Sequence, residues 1–463
     1  MKNESISLAN PDKHPLNKGT KFSIALISIG LLVFAVSFLN VKLKASYFLP
    51  ISLSTTIFGI ILYARSMYLN EPAGVKNNGA WFRSLSSRGL VGWILGVVLT
   101  SFYILLYWFP SFLGLGENGE ANTGVIAFFD PLSKLLNGKV ASQWFMYGTI
   151  YTTCIVALGY KFILKYRHSR YQVFRTIVVI IAQLFLAFLI PEILEGLNSD
   201  QAYYAKDLKN MWPLNYYFFD AWHIDNMRNG GSLGMAYLVW GIVLFLIVTP
   251  IITYFVGKRW YCSWVCGCGG LAETAGDPFR HLSSKKLSAW KFERYIIHGV
   301  LLFSVIMTAG VLYNYFTNTT TILGLDTYTW LRQPYGFLIG AAFSGVVGVG
   351  FYPILGNRVW CRFGCPLAAY MGIFQRFKSR FRITTNGGQC ISCGNCSNSC
   401  EMGIDVKAYA QRGENIVRAS CVGCGICSAV CPRGVLKLEN RDEENKLNNN
   451  PITIGNNSIK INL

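Results

Sequence analysis

The chain has 463 residues, 52% of them hydrophobic and 14% charged, and a formal net charge of +19. Soluble proteins are typically about a quarter charged, so this composition excludes an ordinary soluble globular class and fits a multi-span membrane protein. The basic residues sit in short loops between apolar runs, not together on one polar domain. That pattern excludes nucleic acid as a partner and reads as a topology signal, with excess charge left to steer an acidic redox protein.

A polar tail, 1–21, opens the chain, and the apolar run behind it predicts a spanning helix and no cleaved signal peptide. Eight stretches approach or exceed the length that crosses hydrocarbon, near 22–40, 47–64, 89–109, 144–163, 174–193, 232–256, 295–316 and 334–355. The first two are close enough to form a helical hairpin. Basic loops follow the second span (Arg65, Lys76, Arg83, Arg88), the fourth (Lys161, Lys165, Arg167, Arg170, Arg175) and the sixth (Lys258, Arg259, Arg280). The alternate loops carry Glu117, Glu120, Asp130, Asp200, Asp207 and Asp220. The positive-inside rule then places both termini on the cytoplasmic side of the inner membrane, with Lys42 and Lys44 against the rule.

The span interiors are nearly free of ionisable groups, which argues against an ion pump. His298 is the exception and reads as an interfacial histidine. Trp81, Phe82, Trp93, Tyr107, Trp108, Tyr216, Tyr217 and Trp222 read as an aromatic belt, and Cys154 as an apolar filler.

Two matched cysteine pairs come next. Cys262-x3-Cys266, with Cys268 beside it, follows the sixth span, and Cys361-x3-Cys365-Pro366 follows the eighth. Gly257-Lys258-Arg259-Trp260-Tyr261-Cys262 parallels Gly356-Asn357-Arg358-Val359-Trp360-Cys361. The repeat predicts that both pairs emerge on one face and converge on a four-thiolate site for a further iron–sulfur cluster, copper or zinc. Arg259 and Arg358 are then candidates to reach cluster sulfurs or lipid phosphates.

The last cysteines form one spacing written twice, Cys390-x2-Cys393-x2-Cys396-x3-Cys400 and Cys421-x2-Cys424-x2-Cys427-x3-Cys431-Pro432. Three closely spaced thiolates wrap one corner of a cubane, and the distal cysteine of each run serves the other cluster. Cluster 1 is therefore expected on Cys390, Cys393, Cys396 and Cys431, and cluster 2 on Cys421, Cys424, Cys427 and Cys400. Gly394, Gly423 and Gly425 supply backbone room for the turns. Glu401 stands where the second run has Pro432.

Together these elements predict an all-α integral membrane bundle of about eight transmembrane helices with a C-terminal, cytoplasmic α+β 2[4Fe–4S] ferredoxin-like domain. The expected division is tail 1–21, transmembrane region 22–382, ferredoxin-like domain 383–440 and polar tail 441–463.

Tyr261-Cys262-x3-Cys266 and Trp360-Cys361-x3-Cys365-Pro366, ahead of two ferredoxin runs, resemble the membrane polyferredoxins. That group includes the quinol-dehydrogenase subunit of periplasmic nitrate reductase, the regulator-type protein of nitrous-oxide reduction and oxidase accessory proteins linked to copper delivery. The resemblance covers about 232–440. The short polar N-terminus implies no covalent flavin, only about twenty polar residues follow the clusters, and Gly267 stands where the family often has proline.

The expected function is electron transfer within an oxidoreductase system. A cytoplasmic donor, the clusters, and a membrane quinone or partner redox subunit are its terms. A copper-handling assembly factor and a redox sensor are the alternatives. No nucleophile with a base and no nucleotide fingerprint appears.

Overall fold

The computed structural model describes residues 17–39, 45–69, 88–116, 120–197, 208–209, 211–257, 259–386, 389–440, 452–454 and 459–461. Lys42, Lys44, Lys76, Trp81, Phe82, Arg83, Glu117, Asp200, Asp207 and Lys258 lie outside them, as do residues 1–16 and most of the 441–463 tail. Within that tail, Ile452–Ile454 pairs antiparallel with Ile459–Ile461.

Seven helices among the described residues are long and apolar enough to cross a membrane. They are Lys18–Val36, Ala45–Tyr68, Leu90–Trp108, Gln143–Lys165, Arg170–Leu197, Gly231–Phe255 and Leu287–Thr317. The chain is thus a multi-pass membrane protein. The first helix starts inside the expected tail because Asn17 caps it, its Oδ1 accepting from Thr20 N at 2.7 Å. It forms the expected hairpin with the second, pinned by Ser52 Oγ donating to Gly30 O at 2.8 Å. Leu287–Thr317 begins two turns earlier than expected because Glu293, buried in the extension, accepts from Arg362.

The eighth expected span is built differently from the other seven. It is helical as Tyr328–Arg332, Gln333–Tyr335 and Gly336–Val347, mostly with π-type turns, and it breaks before Tyr352–Leu355. Aromatic rings press onto its glycines: a Cβ at Gly340 would meet the Tyr216 ring at 2.5 Å, and one at Gly345 would meet Tyr107 at 2.6 Å. Wide helical turns of this kind tend to occur at functional sites.

The ferredoxin-like segment is closed by an antiparallel pair, Phe381–Thr385 with Leu436–Asn440, in register Phe381↔Asn440. Gly394 and Gly425 have φ of 78° and 71°, and each leads into a four-residue helix, Asn395–Asn398 and Ile426–Ala429. The two cysteine runs are therefore folded alike. The segment docks on the turn between the fourth and fifth spans. Gln172 Nε2 donates to Cys424 O at 2.6 Å, Tyr171 Oη to Gly423 O at 3.0 Å, and Phe162 and Tyr166 pack on Ile426 and Val430.

Candidate metal centres

Cys390, Cys393, Cys396 and Cys431 line one small cavity, the set expected for cluster 1. Cys393 is exposed at its rim, and Lys407 and Arg433 stand beside it. Four convergent sulfurs are the donor set a cubane requires, so the residues fit the group.

Cys400, Cys421, Cys424 and Cys427 lie deeper. Burial pushes the Cys427 thiol well up, and Cys424, Cys421 and Cys400 all act on it, as does Cys396 of the outer set. Burial pushes Cys424 up to about 12. Thiols held this high stay protonated until a metal ion or cluster displaces the proton.

The paired CxxxC motifs form a pseudo-symmetric unit. Gly257 and Gly356 take φ of 104° and 97°, values that favour glycine. Cys266 N donates to Tyr261 O at 2.7 Å, and Cys365 N donates to Trp360 O at 3.0 Å. Cys266 and Cys365 each cap the N-terminus of a helix, Gly267–Thr274 and Pro366–Lys378. The two arginines cross over: Arg259 Nη1 donates to Cys361 O and Arg358 Nη1 to Cys262 O, each at 3.1 Å. Arg358 Nη1 also lies 3.8 Å from Cys361 Sγ.

All four cysteines of these motifs are buried. Burial raises Cys262, Cys361 and Cys365. The Cys268 thiol, hydrogen-bonded to Cys266, draws Cys266 down to about 6 against burial, helped by Lys209 and backbone N–H groups. Two guanidiniums and two helix N-termini are the partners that four buried thiolates need, so this unit also fits a metal group. Among the described residues, no three His, Cys, Asp or Glu side chains converge at the spacing of a single metal ion.

Arg259 and Arg358 are buried and braced against the opposite repeat, so they do not face lipid phosphate. Three of the loop cations, Lys165, Arg175 and Arg280, are buried together with Arg358 in ion pairs with Glu273, Asp277 and Glu401. Glu401 explains its own departure from the proline pattern. Its carboxylate meets Arg280 at 2.9 Å and Arg358 at 2.8 Å, tying the residue after Cys400 to the arginine beside Cys361. Although burial alone would raise Glu401, those arginines hold it below the usual range. The sequence signal was visible in a glutamate standing where its twin run has proline, and in acids placed just after Cys268.

The CxxxC unit also lies deep. Gly267 abuts Tyr151 and Gln183, whereas Asp277 meets Lys165. Tyr151 and Lys165 are fourteen residues apart on one helix, about 21 Å at 1.5 Å per residue. The CxxxC unit is thus folded into the bundle, not placed at its edge. It shares one buried core with Cys396, Cys421 and Cys427.

Above it lies a cavity of about 950 Å³. Tyr107, Tyr216 and Tyr217, read from sequence as part of an aromatic belt, line this cavity, while Trp222 at its border and Trp93 are exposed on the bundle surface. His298 is exposed, and Cys154 packs beside Ile155 and Val179.

Taken together, the structure sets three groups of cysteines in a chain with seven helices long and apolar enough to cross a membrane among the described residues. A family model described as a 4Fe-4S dicluster domain matches 389–436, and one described as a 4Fe-4S binding domain matches twice, at 238–288 and 337–384. These matches support a likeness to polyferredoxin-type proteins.

It is 24% identical over 193 residues to YccM of Escherichia coli (strain K12), provisionally named an electron transport protein, covering 40% of this chain and 53% of that one. It is 26% identical over 160 residues to the methylamine utilization ferredoxin-type protein MauN of Methylobacillus flagellatus, 34% of this chain and 53% of that one. An uncharacterized protein of Methanocaldococcus jannaschii is 26% identical over 180 residues, 38% of this chain and 69% of that one. The chain thus spans about half the length of the first of these relatives. No solved structure matches it.

Proposed function

We propose that the chain relays electrons between a cytoplasmic donor and a membrane quinone or partner redox subunit, through two cubanes and a third centre at the CxxxC unit. Cys390, Cys393, Cys396 and Cys431 hold the first cubane, and Cys421, Cys424, Cys427 and Cys400 the second. Cys262, Cys266, Cys361 and Cys365 hold the third centre, with Cys268 as an accessory thiol. The protein sits in the inner membrane with both termini cytoplasmic.

One observation carries this reading: all three cysteine sets border a single buried core. A 4Fe-4S binding model matching around both CxxxC motifs supports iron–sulfur at the third centre over copper. When bound, the clusters supply one-electron redox chemistry. The chain spaces them, excludes water and places Arg358 against Cys361.

The test is iron and sulfide quantitation with electron paramagnetic resonance on anaerobically purified full-length chain. Two cubanes require about eight irons and a third about twelve. Cys262→Ser with Cys361→Ser should lose only the excess above eight. Iron at eight in both proteins refutes the third centre, and iron-free, colourless protein refutes the relay.

A further inference from the structure

Lys165, Arg175, Arg280 and Arg358 are neutralised by buried carboxylates. Arg294 and Arg418 are not. Both lie over one indole, that of Trp290, with their guanidinium carbons 5.2 and 4.4 Å from the ring centroid. At most about 10 Å therefore separates the two cations, within about one Debye length, so a single anion would feel both. Among the described residues neither guanidinium has an ion pair or a hydrogen bond, and Arg418 Nε is buried without a partner. The nearest acid in sequence to Arg294, Glu293, is buried and paired with Arg362.

The two arginines come from different parts of the fold. Arg294 belongs to the membrane helix Leu287–Thr317, and Arg418 to the ferredoxin-like segment. Gln375, on the helix Pro366–Lys378, donates to Arg418 O and holds that turn in place. The surroundings are cationic as well: the charges that act on His298, one turn beyond Arg294, are Arg259, Arg294 and Arg376.

This corner asks for an oxyanion, because a guanidinium fork with open donors matches phosphate geometry. The helix says what is attached to it. Beyond Arg294, the positions 298, 302, 305 and 309 fall on one stripe at helical spacing. Leu302 and Val305 on that stripe are 61% and 44% exposed, and they carry it into the membrane-spanning part. Trp290 and Tyr295 stand where the apolar stretch begins, the position aromatic rings take at a membrane boundary. A phosphate joined to hydrocarbon chains would engage the arginines and the stripe together. An acidic protein would offer carboxylates to the arginines and leave the stripe uncovered.

We propose that an anionic phospholipid binds at this corner, its phosphate reached by both Arg294 and Arg418 beside the Trp290 ring and its acyl chains along Leu302 and Val305. Basic pockets beside membrane helices hold anionic headgroups in this way. The lipid bridges the membrane helix and the ferredoxin-like segment. The site is separate from the cysteine sets and does not depend on the relay reading.

The experiment is native mass spectrometry on the full chain, clusters intact, in anaerobic detergent solution. Dioleoyl phosphatidylglycerol is the probe, and dioleoyl phosphatidylcholine, with the same chains and no net charge, is the comparison. The expected result is saturable retention of one phosphatidylglycerol per chain, bound about tenfold or more tightly than phosphatidylcholine. Arg294→Gln and Arg418→Gln should each weaken it about tenfold, roughly the loss of one charge-assisted hydrogen bond. Arg294→Lys should recover most of that loss, since an ammonium still meets a phosphate. Arg412→Gln, which removes an exposed arginine already paired with Glu414, should bind as the parent does. Unchanged iron content and cluster spectra identify variants that fold. Equal affinity for the two lipids overturns the proposal, and is what a surface for an acidic protein would give. Parental affinity in both folded glutamine variants overturns it too, as does an equal loss in Arg412→Gln, which would reduce the effect to net charge. Displacement of the lipid by millimolar inorganic phosphate would make this a free-phosphate site and likewise overturn it.

Discussion

Replacing Glu401 by glutamine keeps the shape of a fully buried side chain and removes its charge. The carboxylate lies between Arg280, at 2.9 Å, and Arg358, at 2.8 Å, and accepts weakly from Asn357 Nδ2 at 3.4 Å. Four cations (Lys165, Arg175, Arg280, Arg358) face three carboxylates (Glu273, Asp277, Glu401) in this network, so the substitution takes its formal balance from +1 to +2. Breaking a buried pair by removing one partner costs roughly 3–5 kcal/mol. Each arginine keeps a second carboxylate, Arg280 with Asp277 at 2.9 Å and Arg358 with Glu273 at 2.8 Å, which favours the lower end, about 3 kcal/mol. At roughly 2–4 °C per kcal/mol for a large domain, the midpoint should fall by at least about 6 °C. The assay is thermal loss of cluster absorbance in nanodiscs at one fixed scan rate, because such unfolding is irreversible. Glu414→Gln is the control. Its pair with Arg412, at 2.9 Å, is exposed and worth at most about 1 kcal/mol. If the two variants melt alike, the network does not hold the ferredoxin-like domain to the bundle, and the structural reason given for Glu401 is wrong.

The same carboxylate predicts an acid response. Its folded value lies below that of an unfolded glutamate, about 4.3, so its contribution is complete above that pH and is lost as pH falls through the lower folded value. The midpoint difference between parent and Glu401→Gln should therefore narrow below about pH 4, and a gap that widens on acidification would contradict the sign. Gly257→Ala should destabilise by more than about 2 kcal/mol, since φ is 104° and a Cβ would meet Phe381 Cβ at 2.0 Å. Hydrogen exchange along Phe381–Thr385 reads that loss. Parental protection there would mean the close approach relaxes freely.

The spans were legible because crossing hydrocarbon demands length and apolarity, both written along the chain. The ferredoxin runs were legible because ligand spacing is a local property, and Gly394, Gly423 and Gly425 do take left-handed φ. Depth was not legible. Cysteines just after a span sit, by counting, at a membrane edge, and only tertiary packing of Gly267 on Tyr151 and Gln183 reveals the descent of the loop. Burial of the loop cations was hidden for a related reason. Arg175 and Arg358 look like any loop arginine until the fold brings Glu273 to both. The tyrosines of the cavity were assigned to lipid because position along a span says nothing about which side of the helix faces inward.

Re-entry of the CxxxC loops changes what the bundle is for. Were that unit at the edge, all three cysteine sets would lie on one side, and the helices would serve only as an anchor. Tyr151 instead stands about 12 Å from the Gln143 end of its helix and about 21 Å from the Lys165 end, where the ferredoxin-like domain docks. The deepest thiols are therefore nearer the far face than the face carrying the domain. Arg358 sits between the two regions, pairing with Glu401 on one side and bracing Cys262 and Cys361 on the other. A buried guanidinium costs heavily unless its partners are fixed, so shifting the ferredoxin-like domain would expose that cost at the CxxxC unit. Docking of the domain and the shape of the inner site are, on this geometry, one structural event.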